Sequence, residues 1–85
     1  MDELTEIVCE ACENNDITDE WVPFITDLVG GTNAIYGSAG KFDPNVATDY
    51  AEAIASNIRE LLDHGKSSEH IRTLDFITIY NAYKP

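Results

Sequence analysis

Residues 43–65, DPNVATDYAEAIASNIRELLDHG, limit the possible folds most sharply, because they carry start, stripe and stop signals of one long helix. Asp43 is a ready N-cap, Pro44 suits the first helical position, and Gly65 follows the last periodic residue as a stop. At about 100° per residue, Ala47, Tyr50, Ala51, Ile54, Ile58, Leu61 and Leu62 share one face. Thr48, Asp49, Glu52, Ser56, Arg59 and Asp63 lie away from it, with Arg59 in reach of Asp63 and Glu60 in reach of His64. A helix of this kind cannot bury its stripe alone, so the remaining segments must supply the facing surface.

Those segments also read as helical. Residues 3–14 place Leu4, Ile7, Val8 and Ala11 at i, i+3, i+4, i+7. Asp2 is the expected cap, and Asn14, Asn15 and Asp16 are turn formers that end the helix. Residues 18–29 form a second helical segment, with Thr18, Asp19 and Glu20 at its start and Gly30-Gly31 at its end. Pro23 belongs in a first turn, so the regular helix is expected to begin nearer Asp19 or Glu20 than Thr18. Trp21, the only tryptophan, is expected to anchor the core.

Residues 30–42, GGTNAIYGSAGKF, hold four of the five glycines and form the one long irregular stretch, with a short helical turn expected around residues 33–36. A last helix is expected from a cap at Ser67 or Ser68 to about Tyr83. Its apolar residues wander around the wheel: Ile71 and Leu74 fall on one side, Phe76, Ile79, Tyr80 and Tyr83 on another. This suggests a helix buried on more than one side. A strand over residues 76–80 is the competing reading, but the chain offers it no partner strand.

The charge is one-sided. Sixteen Asp and Glu face five Lys and Arg, for a net charge of −11 in 85 residues. Nine of the acids (Asp2, Glu3, Glu6, Glu10, Glu13, Asp16, Asp19, Glu20 and Asp27) precede residue 41, with no Lys or Arg among them, so −9 of the −11 sits there. Such a surface repels nucleic-acid phosphates and anionic membranes and favours basic partners. Glu3, Glu6, Glu10 and Glu13 form a second stripe, roughly opposite the apolar one. Neighbours in it are about 5–6 Å apart, a spacing on the scale of phosphates along a nucleic-acid strand. A solvated, self-repelling face is the plain reading of this charge; a face aimed at a cationic partner is the specific one.

Catalytic signatures are missing. Cys9-Glu10-Ala11-Cys12 has the C-x-x-C form, but it lies mid-helix among glutamates with no strand before it, unlike a redox site. Cys9 and Cys12 with His64 and His70 make a conceivable zinc set, although the gap between the pairs is far longer than in a compact finger. The carboxylates are too many and too scattered to single out an acid–base pair. There is no D-x-D-x-D-G calcium loop, no G-x-S-x-G elbow, and a Walker motif ending at Lys41 would require Gly and Ser or Thr where Ile35 and Phe42 stand. The start MDELTE lacks a basic n-region and an apolar h-region, and two cysteines suit a reducing, cytoplasmic setting.

The expected fold is therefore a single all-α domain, a bundle of three to four helices. Its expected core is Leu4, Ile7, Val8, Ala11, Trp21, Ile25, Leu28, Val29, Tyr50, Ile54, Ile58, Leu61, Leu74, Ile77 and Tyr80. The expected function is non-enzymatic and cofactor-free. Glu3, Glu6, Glu10, Glu13, Asp16, Asp19, Glu20 and Asp27 would engage a basic protein surface, as an inhibitor or regulator of a nucleic-acid-binding protein in the manner of a nucleic-acid mimic. Phage- or mobile-element-type regulators fit this description. The alternatives are a homodimerising adaptor module and the zinc domain.

Overall fold

The computed structural model describes residues 2–37 and 39–83. Five α-helices follow one another: α1 (Glu3–Asn14), α2 (Val22–Gly30), α3 (Pro44–Asp63), α4 (Ser68–Ile71) and α5 (Phe76–Tyr80). Short 3-10 turns at Asp19–Trp21 and Asn33–Ile35 join the first three. The fold is all-α, with α3 as the element against which α1, α2, α4 and α5 all pack, α1 most extensively. No described helix is long and apolar enough to cross a membrane.

Each helix start is made by a side chain that accepts backbone N–H groups, or by a turn that leads in. Asp2 accepts from Thr5 N at 2.8 Å, Asp43 from Asn45 N at 3.0 Å, Ser67 from His70 N at 3.1 Å and Asp75 from Thr78 N at 2.9 Å. The backbone hydrogen bond from Thr5 holds the Asp2 carboxyl below its usual range, and the side chain and then the backbone N–H of Thr78 do the same for Asp75. At α2 no side chain caps; the 3-10 turn feeds straight in, which places Pro23 in the first turn, where its missing N–H costs nothing.

Two of the helices end alike. At α3, Lys66 N bonds to Leu61 O and Gly65 N to Leu62 O, with Gly65 at φ 86°. At α1, Ile17 N bonds to Cys12 O and Asp16 N to Glu13 O, with Asp16 at φ 59°. Both are Schellman endings, and Ile17 tucks into the core as the apolar residue that accompanies the motif.

The core collects Val8, Ala11 and Cys12 of α1, Ile17, Trp21, Val22, Ile25 and Val29, and the α3 face from Ala47 to Leu61. The alanines at 47, 51 and 55 are fully buried. Gly30 serves a matching purpose between α1 and α2, since a Cβ there would meet Leu4 Cδ2 at 3.2 Å. Ile35, Ile71 and Ile79 complete the core from the loop and the last two helices, at 0% exposure. Leu4, Ile7, Leu28, Tyr50, Leu74 and Tyr80, expected as core, lie half-buried against it. Trp21 is the buried anchor expected of it, in edge contact with Phe24 at 5.7 Å.

Two expectations need correction. The single last helix is broken between Ile71 and Phe76. Thr73 Oγ1 donates to His70 O at 2.6 Å, closing one turn, and Asp75 caps a new start. A short polar side chain that captures a backbone N–H favours caps over helix interiors, and the β-branched run Ile77-Thr78-Ile79 adds little propensity to resist the break. The restart resets the helical phase. Phe76, Ile79 and Tyr80 now face inward, Tyr50 of α3 meets Phe76 at 5.3 Å and Tyr80 at 5.4 Å, and Asn57 Nδ2 donates to Ile79 O at 2.8 Å. Ile77 consequently points outward, 63% exposed, rather than into the core. Residues 76–80 are helix, not strand, and the one β-bridge among the described residues joins Tyr36 to Phe42.

Candidate anionic interface

The side of α1 that carries Val8, Ala11 and Cys12 is buried against α2 and α3. Helical geometry turns Glu3, Glu6, Glu10 and Glu13 to the opposite side, and all four are exposed. They lie along about 15 Å of helix axis. A DNA strand carries one phosphate per about 3.4 Å of axis, or about four to five over that length, so the linear charge density is comparable.

The other four predicted residues continue from this row or lie apart from it. Asp16 sits on the Schellman turn, and Asp19 and Glu20 on the 3-10 turn that follows; all three are exposed. Asp19 is near enough to Cys12 to disfavour its thiolate. Asp27 is on the outward side of α2, exposed, on a different helix from the row. The structure thus assembles the four glutamates of α1 into one strip and leaves Asp27 separate.

None of the eight carboxylates forms an ion pair among the described residues. The pairs present are Arg59–Asp63 at 2.7 Å and His64–Glu60 at 4.0 Å, both within the neighbourhood of α3. Two arginines do reach the N-terminal half, but to its backbone. Arg59 donates to Asp16 O at 3.0 Å, and Arg72 donates to Glu20 O at 3.4 Å while its guanidinium stacks 4.3 Å from the Trp21 ring centroid. The acid of the later half that approaches α1 is also occupied: Glu52 accepts from Asn14 Nδ2 at 3.0 Å and Asn15 Nδ2 at 2.9 Å. These contacts fasten the α1 terminus to α3, and among the described residues no cation pairs with the glutamate row.

The conceivable metal set is dispersed in its chemistry as well as its placement. Cys12 is in the core, and burial, then Cys9, Asp19 and Glu52, push its thiol up to about 11, away from the thiolate that binds zinc. His64 closes α3 with Nδ1 2.7 Å from Glu60 O and its ring stacked on Tyr83, whereas His70 is exposed on α4. Among the described residues no group of three His, Cys, Asp or Glu is placed to hold a metal ion.

One feature lay outside the sequence reading. An open cavity of about 300 Å³ is lined by Asp2, Glu3, Leu4, Tyr36 and Phe42. The Tyr36–Phe42 bridge brings the two rings into edge contact at 6.4 Å, beside the start of α1. Backbone bonds from Gly37 N to Lys41 O and from Asp43 N to Ile35 O close the loop behind them, at 2.7 and 2.6 Å. The signal available in the sequence was a pair of aromatics flanking the glycines of residues 37–40; nothing local announced that α1 would meet them. Compared with protein-family models, curated proteins and solved structures, the chain gives no match.

Proposed function

We propose that this is a non-enzymatic binding protein whose acidic N-terminal half engages a basic protein surface, inhibiting or regulating a nucleic-acid-binding protein by occupying the surface that takes phosphates. One observation carries the reading: the glutamate row of α1 meets no cation among the described residues, on a helix whose dipole suits Glu3 and Glu6 but not the acids beyond them. Its last turn holds Glu13 and no basic side chain, at the end where the dipole favours cations. Glu6–Glu10 and the i, i+3 pairs beside it repel one another, by about 0.2–0.5 kcal/mol each. The part of the row that works against its own helix, towards Glu13, is accounted for by a partner that supplies the missing charge. Cys9 and Cys12 are both free thiols, in keeping with action in a reducing, cytoplasmic setting.

The experiment is capture from a cell lysate at low salt on immobilised protein, with elution by a salt gradient and by duplex DNA. A basic nucleic-acid-binding protein should be retained, released by competing DNA, and lost from a column of the Glu3→Gln, Glu6→Gln, Glu10→Gln, Glu13→Gln variant. Retention of the same proteins by that variant contradicts the reading. A second reading, homodimerisation, draws on Ile77 and Tyr83, which are 63% and 41% exposed. Light scattering separates the two: a dimer at micromolar concentration that is insensitive to salt favours self-association, and a monomer removes it.

A further inference from the structure

The molecule contains its own example of how it holds a guanidinium. Trp21 and Phe24 meet edge to face at 5.7 Å and 70°, and Arg72 lies over them, 4.3 Å from one ring centroid and 5.7 Å from the other. Arg72 also donates in the direction of an oxygen, Glu20 O, at 3.4 Å. Tyr36 and Phe42 form a second pair of nearly the same geometry, 6.4 Å and 65°, on the wall of the open cavity. There the neighbouring residues that carry oxygens for a donor are the acids Asp2 and Glu3, which also line the cavity.

We propose that this cavity receives an arginine side chain of the basic partner, its guanidinium stacked on the Tyr36–Phe42 pair and its N–H groups donated to Asp2 and Glu3. The identity of the partner rests on the function proposed above; the cavity's preference for a guanidinium does not. Cation–π attraction and charge-assisted hydrogen bonds in one plane suit arginine better than lysine, whose ammonium is a compact, strongly hydrated point charge. Leu4 offers an apolar wall for the aliphatic stem. Tyr36 is 47% exposed, so the approach to its ring is open.

The helix terminus opposes this placement, since the start of α1 carries about half a positive charge. Two carboxylates outweigh it. Asp2 already accepts from Thr5 as the cap of α1, through Oδ1 at 2.8 Å from Thr5 N, and a carboxylate has lone pairs for a further donor. Glu3 belongs both to this cavity and to the α1 row, so an arginine seated here would set the register of a basic surface laid along Glu6, Glu10 and Glu13.

The test is an NMR titration of the whole protein with Nα-acetyl-arginine methylamide, with the blocked lysine and norleucine amides as comparisons. Saturable shifts are expected at residues 2–4 and at the Tyr36 and Phe42 rings. Tyr36→Leu and Glu3→Gln should each weaken arginine binding about fivefold, and the Glu69→Gln variant, altered on α4, should leave it within twofold of the parent. Unchanged spectra away from the site establish that each variant is folded. Shifts spread along α1 without saturation, equal binding of lysine or norleucine, or full binding by Tyr36→Leu would overturn the proposal. If Tyr36→Leu still captures the basic partner while the four-glutamine variant does not, the cavity assignment fails and the wider function stands.

Discussion

Asp16 is held at φ 59°, a conformation that costs most L-residues about 1–2 kcal/mol. Its short polar side chain makes it one of the residues that tolerate the position, and the reward is the Schellman ending that sends Ile17 into the core. Arg59 reaches this turn through the Asp16 carbonyl rather than its carboxylate. Asp16→Gly therefore keeps the Arg59 contact and relieves the backbone. It should raise stability by about 0.5 kcal/mol, once glycine's extra freedom in the unfolded chain is subtracted. Thermal unfolding is the check: the melting temperature should rise by roughly 2–4 °C, and a fall would show that the Asp16 side chain stabilises the turn in a way the backbone account omits.

At the scale of elements, α1 carries the arrangement most open to improvement, since Glu10 repels its neighbours and Glu13 stands in the last turn. Replacing Glu10 and Glu13 by Gln removes like-charge repulsion and an unfavourable charge at the C-terminal end. The double variant should be more stable by about 0.5–1 kcal/mol at low salt, raising the melting temperature by roughly 2–8 °C. The gain should shrink in 0.5 M salt, where the Debye length falls to about 4 Å, shorter than the spacing of the row. A loss of stability would mean that the row is held by favourable contacts and its cost has been misjudged.

How far the elements were legible in the sequence follows from the same local physics. The α1 and α3 stripes and the caps at Asp2, Asp43 and Ser67 are written in residues that touch within one turn, and the structure places them where periodicity does. The break before α5 was harder to read. The wandering of Ile71, Leu74, Phe76 and Ile79 around a single wheel, taken as burial on several sides, is the trace of two short helices with different phases. Asp75 is the residue that resets the phase, and a cap inside an apolar run is easily read as a surface position. Ile35 was likewise illegible, because the loop is folded inward by Asp43 N and Ile35 O, a bond between its far ends. Of the candidate site, the exposed row was readable from spacing alone. The cavity was not, since it forms only where α1 meets residues more than 30 positions away.

For the whole molecule, the relevant fact is how the four basic residues among the described ones are deployed. Arg59 and Arg72 fasten the turn between α1 and α2 to the later helices through backbone oxygens, and Lys41 and Lys66 are exposed without a described ion pair. Among the described residues the N-terminal acids thus have no ion-pair partner, and their field acts outward from a body of 41 × 27 × 21 Å. Affinity for a basic partner should then follow the counterion physics of the phosphates the strip resembles. The measurement that tests this most directly is the dissociation constant of the captured partner across 50–300 mM salt, for the parent chain and for the variant with glutamine at positions 3, 6, 10 and 13. A steep logarithmic loss of affinity for the parent, and a much flatter line for the variant, is the predicted result. Parallel lines, or a parent whose binding ignores salt, would contradict the claim that these four carboxylates face a cationic surface.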